Sequence, residues 1–274
     1  MEFSGKVVVV TGASMGIGEA LAQAFASRGA NVVMSSRDAS RVESARQRIG
    51  YADRTIAVSC DIRNREEIDK VVSLTLHHFG RIDVWINNAG YGLSDSVTLM
   101  DMAECRALFE TNLFGAIAGM QAVVPVMKQQ RSGTIINISS VAGHIPLPYS
   151  GAYSATKFAL NAIGKAARVE LKGSGVNVLT VCPGYVRTEF AGNRVRGRDT
   201  VELSSPRQGG ITAQRVAEAT VLGYQRNKRE VVVPGSNRLF IWVYRVWPGI
   251  VERVMARMAR PRKSSAPEAT IAPR

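Results

Sequence analysis

Four valines at 7–10 run straight into a glycine turn, Thr11-Gly12-Ala13-Ser14-Met15-Gly16-Ile17-Gly18, and an amphipathic stretch follows at 19–28. An apolar β-branched run of this length reads as a buried strand, and the stretch after it as a helix. Glycines at a strand-to-helix turn let backbone approach a ligand closely, and the helix N-terminus beyond attracts phosphate. The spacing is Gly-x-x-x-Gly-x-Gly rather than Gly-x-Gly-x-x-Gly. A glycine turn is a weak signal by itself. Set between a strand and a helix, it favours a dinucleotide site.

The same alternation continues along the chain. Strands are expected at 31–35, 55–59, 82–86, 134–139, 176–181 and 230–233. Helices are expected at 68–79, about 103–129, 153–172 and 213–225. This is the pattern of an α/β protein with a Rossmann-type doubly wound parallel sheet, here one domain with a C-terminal helical extension. The expected division is a catalytic domain over 1–235, an apolar helical arm over 236–260 and a disordered tail over 261–274. The basic stretch 190–210 reads as a lid or a disordered loop.

Net charge is +13 over 274 residues. Such a balance suits nucleic acid, a membrane surface or an anionic cofactor. The sequence has no nucleic-acid-reading module, which removes the first. Three separated cysteines point to a reducing, cytoplasmic setting, and only three histidines, with no clustered ligand set, argue against a metal site. No run reads as long and apolar enough to span a bilayer.

Polar residues gather at the strand ends. NAD binders require a carboxylate at the end of the second strand, and Ser36 supplies none. Arg37 follows, with a planar fork suited to a 2′-phosphate; the plain alternative is a solvated arginine opening a charged helix. Asp61 can accept from an adenine amino group or simply begin the next helix. Asn87-Asn88-Ala89-Gly90 ends the fourth strand, where adjacent asparagines can bridge neighbouring strands and leave room for a ribose. Asn112 falls inside a long helix, where asparagine is a mediocre former; it is either solvent-facing or a functional hydrogen-bonding group.

Tyr153 and Lys157 stand four apart, so phenol and ammonium can point into one cleft. A nearby cation lowers a tyrosine pKa and fits it for proton transfer near neutrality. Alone, such a pair is more often a surface pair. Ser140 follows the fifth strand, where it can hydrogen-bond the oxygen that Tyr153 protonates.

Jointly these residues resemble the classical short-chain dehydrogenase/reductase family. Thr11-Gly12-x-x-x-Gly16-x-Gly18, Asp61, Asn87-Asn88-Ala89-Gly90, Asn112, Ser140, Tyr153-x-x-x-Lys157 and Pro183-Gly184-x-x-x-Thr188 stand in the family's order over residues 5–235. The resemblance implies an oxidoreductase in which Tyr153 is general acid for carbonyl reduction and general base for alcohol oxidation. It gives Lys157 the lowering of that pKa and the nicotinamide ribose, Ser140 the substrate oxygen, and Asn112 a relay water. Ser140 rather than Ser139 stands the required thirteen residues before Tyr153. Gly12, Ser14, Gly16, Ile17 and Gly18 would cradle the pyrophosphate. Asp61 and Asn88 would meet the adenosine half, and Val186 and Thr188 the nicotinamide amide. Ile62, Ala89, Gly90, Pro183 and Gly184 complete the expected cofactor set. NADP(H) is the expected cofactor, with NAD(H) the alternative. The expected assembly is a homodimer or homotetramer. A non-catalytic regulator or scaffold on the same fold is the competing reading, and the intact tetrad argues against it.

The expected pocket mouth includes Leu93, His144, Ile145, Leu147, Tyr149 and Tyr185. Being mostly apolar, it favours a hydrophobic carbonyl or alcohol. His144 either touches substrate or is merely exposed. In the arm, Leu239, Phe240, Ile241, Trp242, Val243 and Tyr244 precede a second helix opened by Pro248, with arginines alongside. That composition suits a membrane interface; the rival is packing on its own domain or a dimer mate.

Overall fold

The computed structural model describes residues 2–198 and 210–259. Seven parallel strands form its central sheet: β1 (Val7–Thr11), β2 (Asn31–Ser36), β3 (Thr55–Ser59), β4 (Val84–Asn87), β6 (Gly133–Ile138), β7 (Val176–Pro183) and β11 (Glu230–Val233). Their spatial order is β3-β2-β1-β4-β6-β7-β11. The order reverses between β1 and β4, and the crevice outside their carboxyl ends is where such sheets bind ligands. The two-residue strands β5 (Leu93–Ser94) and β9 (Val195–Arg196) pair with each other, as do β8 (Val186–Arg187) and β10 (Ile211–Thr212).

Helices cover both faces. They are α1 (Gly16–Ala26), α2 (Ala39–Ile49), α3 (Arg65–Phe79), α4 (Met102–Phe109), α5 (Gly115–Gln130), α6 (Gly151–Glu170) and α7 (Ala213–Gln225), then α8 (Asn237–Val246) and α9 (Pro248–Met258) in the arm. The unbroken valine run of β1 follows from this layering. Val8 and Val10 enter the core with Leu21 and Phe25 of α1 and Val216 of α7. Val9 points the other way, towards Ile68 of α3 and Val123 of α5. A strand buried on both faces has no polar side to show.

The long helix expected over 103–129 carries an interruption that residue pattern alone does not announce. α4 and α5 are joined by a π turn, Glu110–Phe114, which buries Asn112. Such turns insert an extra residue into the helical ladder and recur at functional sites. The joined run Met102–Gln130 is, by length and composition, the one helix among the described residues that could cross a membrane. This corrects the expectation that no run qualifies. Half of its most apolar window is buried against the rest of the protein, as in a core helix. The tail read as disordered, 261–274, and residues 199–209 of the long loop lie outside the described residues.

Candidate active site

The site is assembled where α6 passes the ends of β6 and β7. Tyr153 lies in the first turn of α6, with Lys157 one turn on. Lys157 is buried and its Nζ donates to the Ile138 carbonyl at the end of β6, 3.0 Å away. The same Nζ stands 5.8 Å from the centre of the Tyr153 ring. Ser140 heads a short 3-10 turn, Val141–Gly143, and accepts from the Ala142 amide at 3.0 Å. That turn is held tightly to α6. Asn161 donates to the Gly143 carbonyl at 2.8 Å, and a β-carbon on Gly143 would sit 2.8 Å from the Lys157 carbonyl oxygen. Ser139 instead donates to the Lys157 carbonyl at 3.3 Å and braces the strand end. Asn112 uses its amide on the backbone of Tyr91, accepting from its N–H at 3.0 Å and donating to its carbonyl at 2.9 Å. It thereby fixes the loop after β4 beside Lys157.

Tyr153, Ser140 and Lys157 open on a cleft of about 870 Å³ that runs back along the sheet end to Gly12, Gly16, Arg37 and Asp61. The far half of this cleft fits a dinucleotide. The glycine turn is closed against the segment that follows β4: a β-carbon on Gly12 would lie 2.7 Å from the Ala89 Cα. Asn88 donates to the Thr11 and Gly12 carbonyls at 2.9 and 3.0 Å, tying β4 to the turn. Asn87 donates to Asn137 of β6 at 2.9 Å. The two asparagines thus brace neighbouring strands, and Asn88 with the residues after it lines the cleft. Ser14, Ile17, Ile62, Ala89, Gly90, Pro183, Gly184, Val186 and Thr188 are on the wall as well. Such a lining could hold pyrophosphate on the turn and a ribose near Lys157.

The family profile described as short chain dehydrogenase matches residues 6–199. The chain is 33% identical over 265 residues to "Dehydrogenase/reductase SDR family member 7B" of Danio rerio, covering 93% of this chain and 86% of that one. A metagenomic short-chain oxidoreductase solved in complex with NADP is similar in structure, with TM-score 0.71 and 32% identity, over 85% of this chain and 98% of the other. So is the 3-ketoacyl-(acyl-carrier-protein) reductase of Brucella melitensis solved with NADH, with TM-score 0.76 and 27% identity, over 84% and 97%. The chain belongs to the short-chain dehydrogenase/reductase family. It is an oxidoreductase of the NAD(P)-dependent class that interconverts CH–OH and C=O.

In this family member the electrostatics differ from the sequence expectation. Burial pushes the Tyr153 phenol up, to about 12, against smaller opposing effects of Ser140 and Arg194. Burial also pulls Lys157 down, to about 8. Spacing places amine and phenol near each other, but desolvation is the largest effect on both groups. A neutral phenol is the form that can donate a proton to a carbonyl.

At the adenosine end, Arg37 and Arg41 both line the cleft, and neither makes an ion pair among the described residues. Asp38 is the nearest carboxylate in sequence, but it caps α2, accepting from the Arg41 amide at 3.0 Å and the Ser40 hydroxyl at 2.7 Å. Both oxygens of Asp61 are held by Arg63, whose guanidinium keeps that carboxyl below its usual range.

Several expected mouth residues stand elsewhere. Tyr185 and Leu147 line the cleft, whereas Leu93, His144, Ile145 and Tyr149 do not. The 3-10 turn swings His144 inward, where it is buried with its Nε2 3.5 Å from the Cys182 sulfur and 3.3 Å from a Glu230 oxygen. That polar knot carries two flanking cations. Lys165 is 3.9 Å from Glu230, and Arg245 of the arm is 3.5 Å from the His144 Nδ1. Cations so close disfavour a metal ion there. Leu93 is buried in β5, next to Leu108 and Ala152. Tyr149 holds φ at 55°, a left-handed conformation uncommon for a residue with a side chain, and its carbonyl accepts from the Asp95 amide at 3.0 Å. Sequence reasoning missed Phe190, Arg194 and Phe240, which do line the cleft. Phe190 leans on the Tyr153 ring at 5.8 Å between centres. No motif marks these three; only the fold brings them in.

Proposed function

We propose that this enzyme reduces a hydrophobic ketone or aldehyde with NADPH, Tyr153 giving the proton. The observation that carries this reading is the shared cleft: Tyr153, Ser140 and Lys157 at one end, the glycine turn and Arg37 at the other. The bound dinucleotide supplies the hydride. The chain's own residues bind, orient and protonate. Ser140 Oγ holds the substrate oxygen, Tyr153 Oη donates to it, and Lys157 keeps a positive charge beneath both. Leu147, Tyr185, Phe190 and Phe240 give the substrate half its apolar wall. Relatives acting on ketoacyl groups support an acyl-linked ketone as substrate.

The NADP(H) preference rests on Arg37 with Arg41 behind it, and on the absence of a carboxylate at Ser36. Arg37→Ala is expected to raise the Kd for NADPH by about tenfold or more while leaving NADH nearly unchanged. Fluorescence titration of both cofactors checks this. Equal weakening of the two would remove Arg37 from the phosphate site.

The proton inventory sets a pH dependence. Lys157 carries its charge below about 8 and loses it above, while Tyr153 stays protonated up to about 12. So kcat/KM for reduction should be level at lower pH and fall as pH rises through about 8, with oxidation favoured at higher pH. A reduction profile that rises through that window would contradict the assignment.

We read the assembly as a homo-oligomer, dimer or tetramer. Phe158, Ile163 and Val169 are exposed along α6, with Phe114 exposed at the head of α5, and together they suit a second copy. The three cysteines are all unpaired, which fits a cytoplasmic setting. The arm would then touch a membrane surface from that side.

A further inference from the structure

We propose that the C-terminal arm sets the mouth of the catalytic cleft on an anionic bilayer, so that a carbonyl amphiphile dissolved in the lipid passes to Tyr153 without crossing water. This rests on the reading of the enzyme as a reductase of hydrophobic carbonyls and names where its substrate comes from.

The arm is fastened from inside. Ile241 is buried, and Tyr244 and Met255 pack with it on Ile145, Cys182 and Val232. Its start is seated on the turn after β7: a β-carbon on Gly184 would lie 2.3 Å from the Asn237 side-chain nitrogen. Asn237 and Phe240 then form part of the wall of the cleft that holds Tyr153. Phe240 is also 45% exposed, so it borders both the cleft and the outside.

The outer face of the arm is apolar, and no described residue covers it. Leu239, Trp242 and Val246 follow one another at helical spacing and are 66%, 52% and 46% exposed. Trp247 stacks edge-on against Trp242, 5.7 Å between centres, and Ile250 and Val254 extend the surface along α9. Scattered exposed apolar residues need no explanation, but a continuous patch does.

Charge decides what covers it. Within 237–258 stand Arg238, Arg253 and Arg257, besides Arg245 which turns to His144, against the single acid Glu252, on a chain of net charge +13. A second copy would bring the same arginines against themselves across a two-fold contact. An anionic lipid surface meets them with opposite charge, and tryptophans beside arginines suit headgroup depth. With the arm lying there, Phe240 marks the passage from acyl chains to the cleft. Leu147, Tyr185 and Phe190 continue that apolar wall inward to Tyr153.

The test uses the full chain and a Leu239→Glu, Trp242→Glu double variant. Neither side chain lines the cleft. Both proteins are given NADPH with a water-soluble short-chain β-keto ester. They are then given a long-chain β-keto ester dissolved in phosphatidylcholine vesicles, with or without phosphatidylglycerol. Sedimentation with the same vesicles is read in parallel, and oligomeric state is measured without lipid. The expected result is that both proteins reduce the soluble ester equally. The wild type alone sediments with phosphatidylglycerol vesicles and turns over the vesicle-held ester more than about tenfold faster than the variant. Equal turnover of the vesicle-held ester by the two proteins overturns the proposal. So does a wild type that stays in the supernatant while still reducing the soluble ester. A wild-type oligomer that the variant loses assigns the face to a second copy instead. Failure of both proteins on both esters would overturn the reductase reading itself, and this inference with it.

Discussion

Tyr153→Phe should lower turnover by at least about a hundredfold while NADPH binds as before. The argument starts from what the substitution leaves in place. The ring stays in the first turn of α6 and keeps its contact with Phe190, 5.8 Å between centres. Lys157 keeps its bond to the Ile138 carbonyl, and Ser140 keeps the Ala142 amide. Only the transferable proton is gone. A positioned general acid is worth roughly 10²–10⁴-fold, and Tyr153 is a neutral acid beside Ser140 in the cleft. Single-turnover reduction with NADPH in excess, read beside a cofactor titration, separates chemistry from binding. Retention of more than a few per cent of wild-type turnover would hand the proton transfer to another group. Loss of cofactor affinity would show instead that the hydroxyl helps to build the ribose site.

The parts of this protein that were legible in its sequence are those fixed by local chemistry. The valine run of β1, the glycine turn and the asparagines at the end of β4 each need their surroundings wherever they occur. Buried backbone must pair, and buried amides must find partners. Thus the bridging task expected of Asn88 is met by its bonds to Thr11 and Gly12. What depends on the sum of distant contacts was not legible. The π turn at Glu110–Phe114 is set by packing between α4, α5 and α6, and no residue in it announces the extra step. His144 is expected at the mouth, yet one 3-10 turn carries it to Cys182. Arg194 and Phe240 reach the cleft from segments more than thirty residues beyond Tyr153.

The sign of the Tyr153 shift belongs to the same class. Spacing reports which groups are neighbours, and a cation four residues away argues for a lowered phenol pKa. Desolvation depends on everything that covers the pair. Here it is the larger effect on both groups, raising the phenol and lowering the amine. The pH profile is therefore expected to report Lys157, not Tyr153, in the neutral-to-alkaline range.

Gly18→Ala should weaken NADPH and NADH alike, by about tenfold to a hundredfold. Gly18 stands in the first turn of α1, where a β-carbon would lie 2.3 Å from the Gly12 carbonyl oxygen and 2.5 Å from the Asn88 amide nitrogen. Neither neighbour is the loose end of a flexible side chain. The Gly12 carbonyl is backbone, and the Asn88 amide is held by two bonds, to Thr11 and Gly12. The methyl group is accommodated only if α1 backs away from β1 or if Asn88 gives up those bonds. The first would move the amides proposed to face pyrophosphate, and the second would free the loop proposed to line the ribose. Overpacking of this kind costs about 1–3 kcal/mol, and each 1.4 kcal/mol that falls on binding is a factor of ten. Because pyrophosphate and ribose are common to both cofactors, the loss should not discriminate between them, in contrast to Arg37→Ala. Gly249→Ala is the control, since nothing lies within 4 Å of a β-carbon there. Undiminished affinity for both cofactors in Gly18→Ala would show that the turn is not the cradle, and the dinucleotide would have to be placed elsewhere along the cleft.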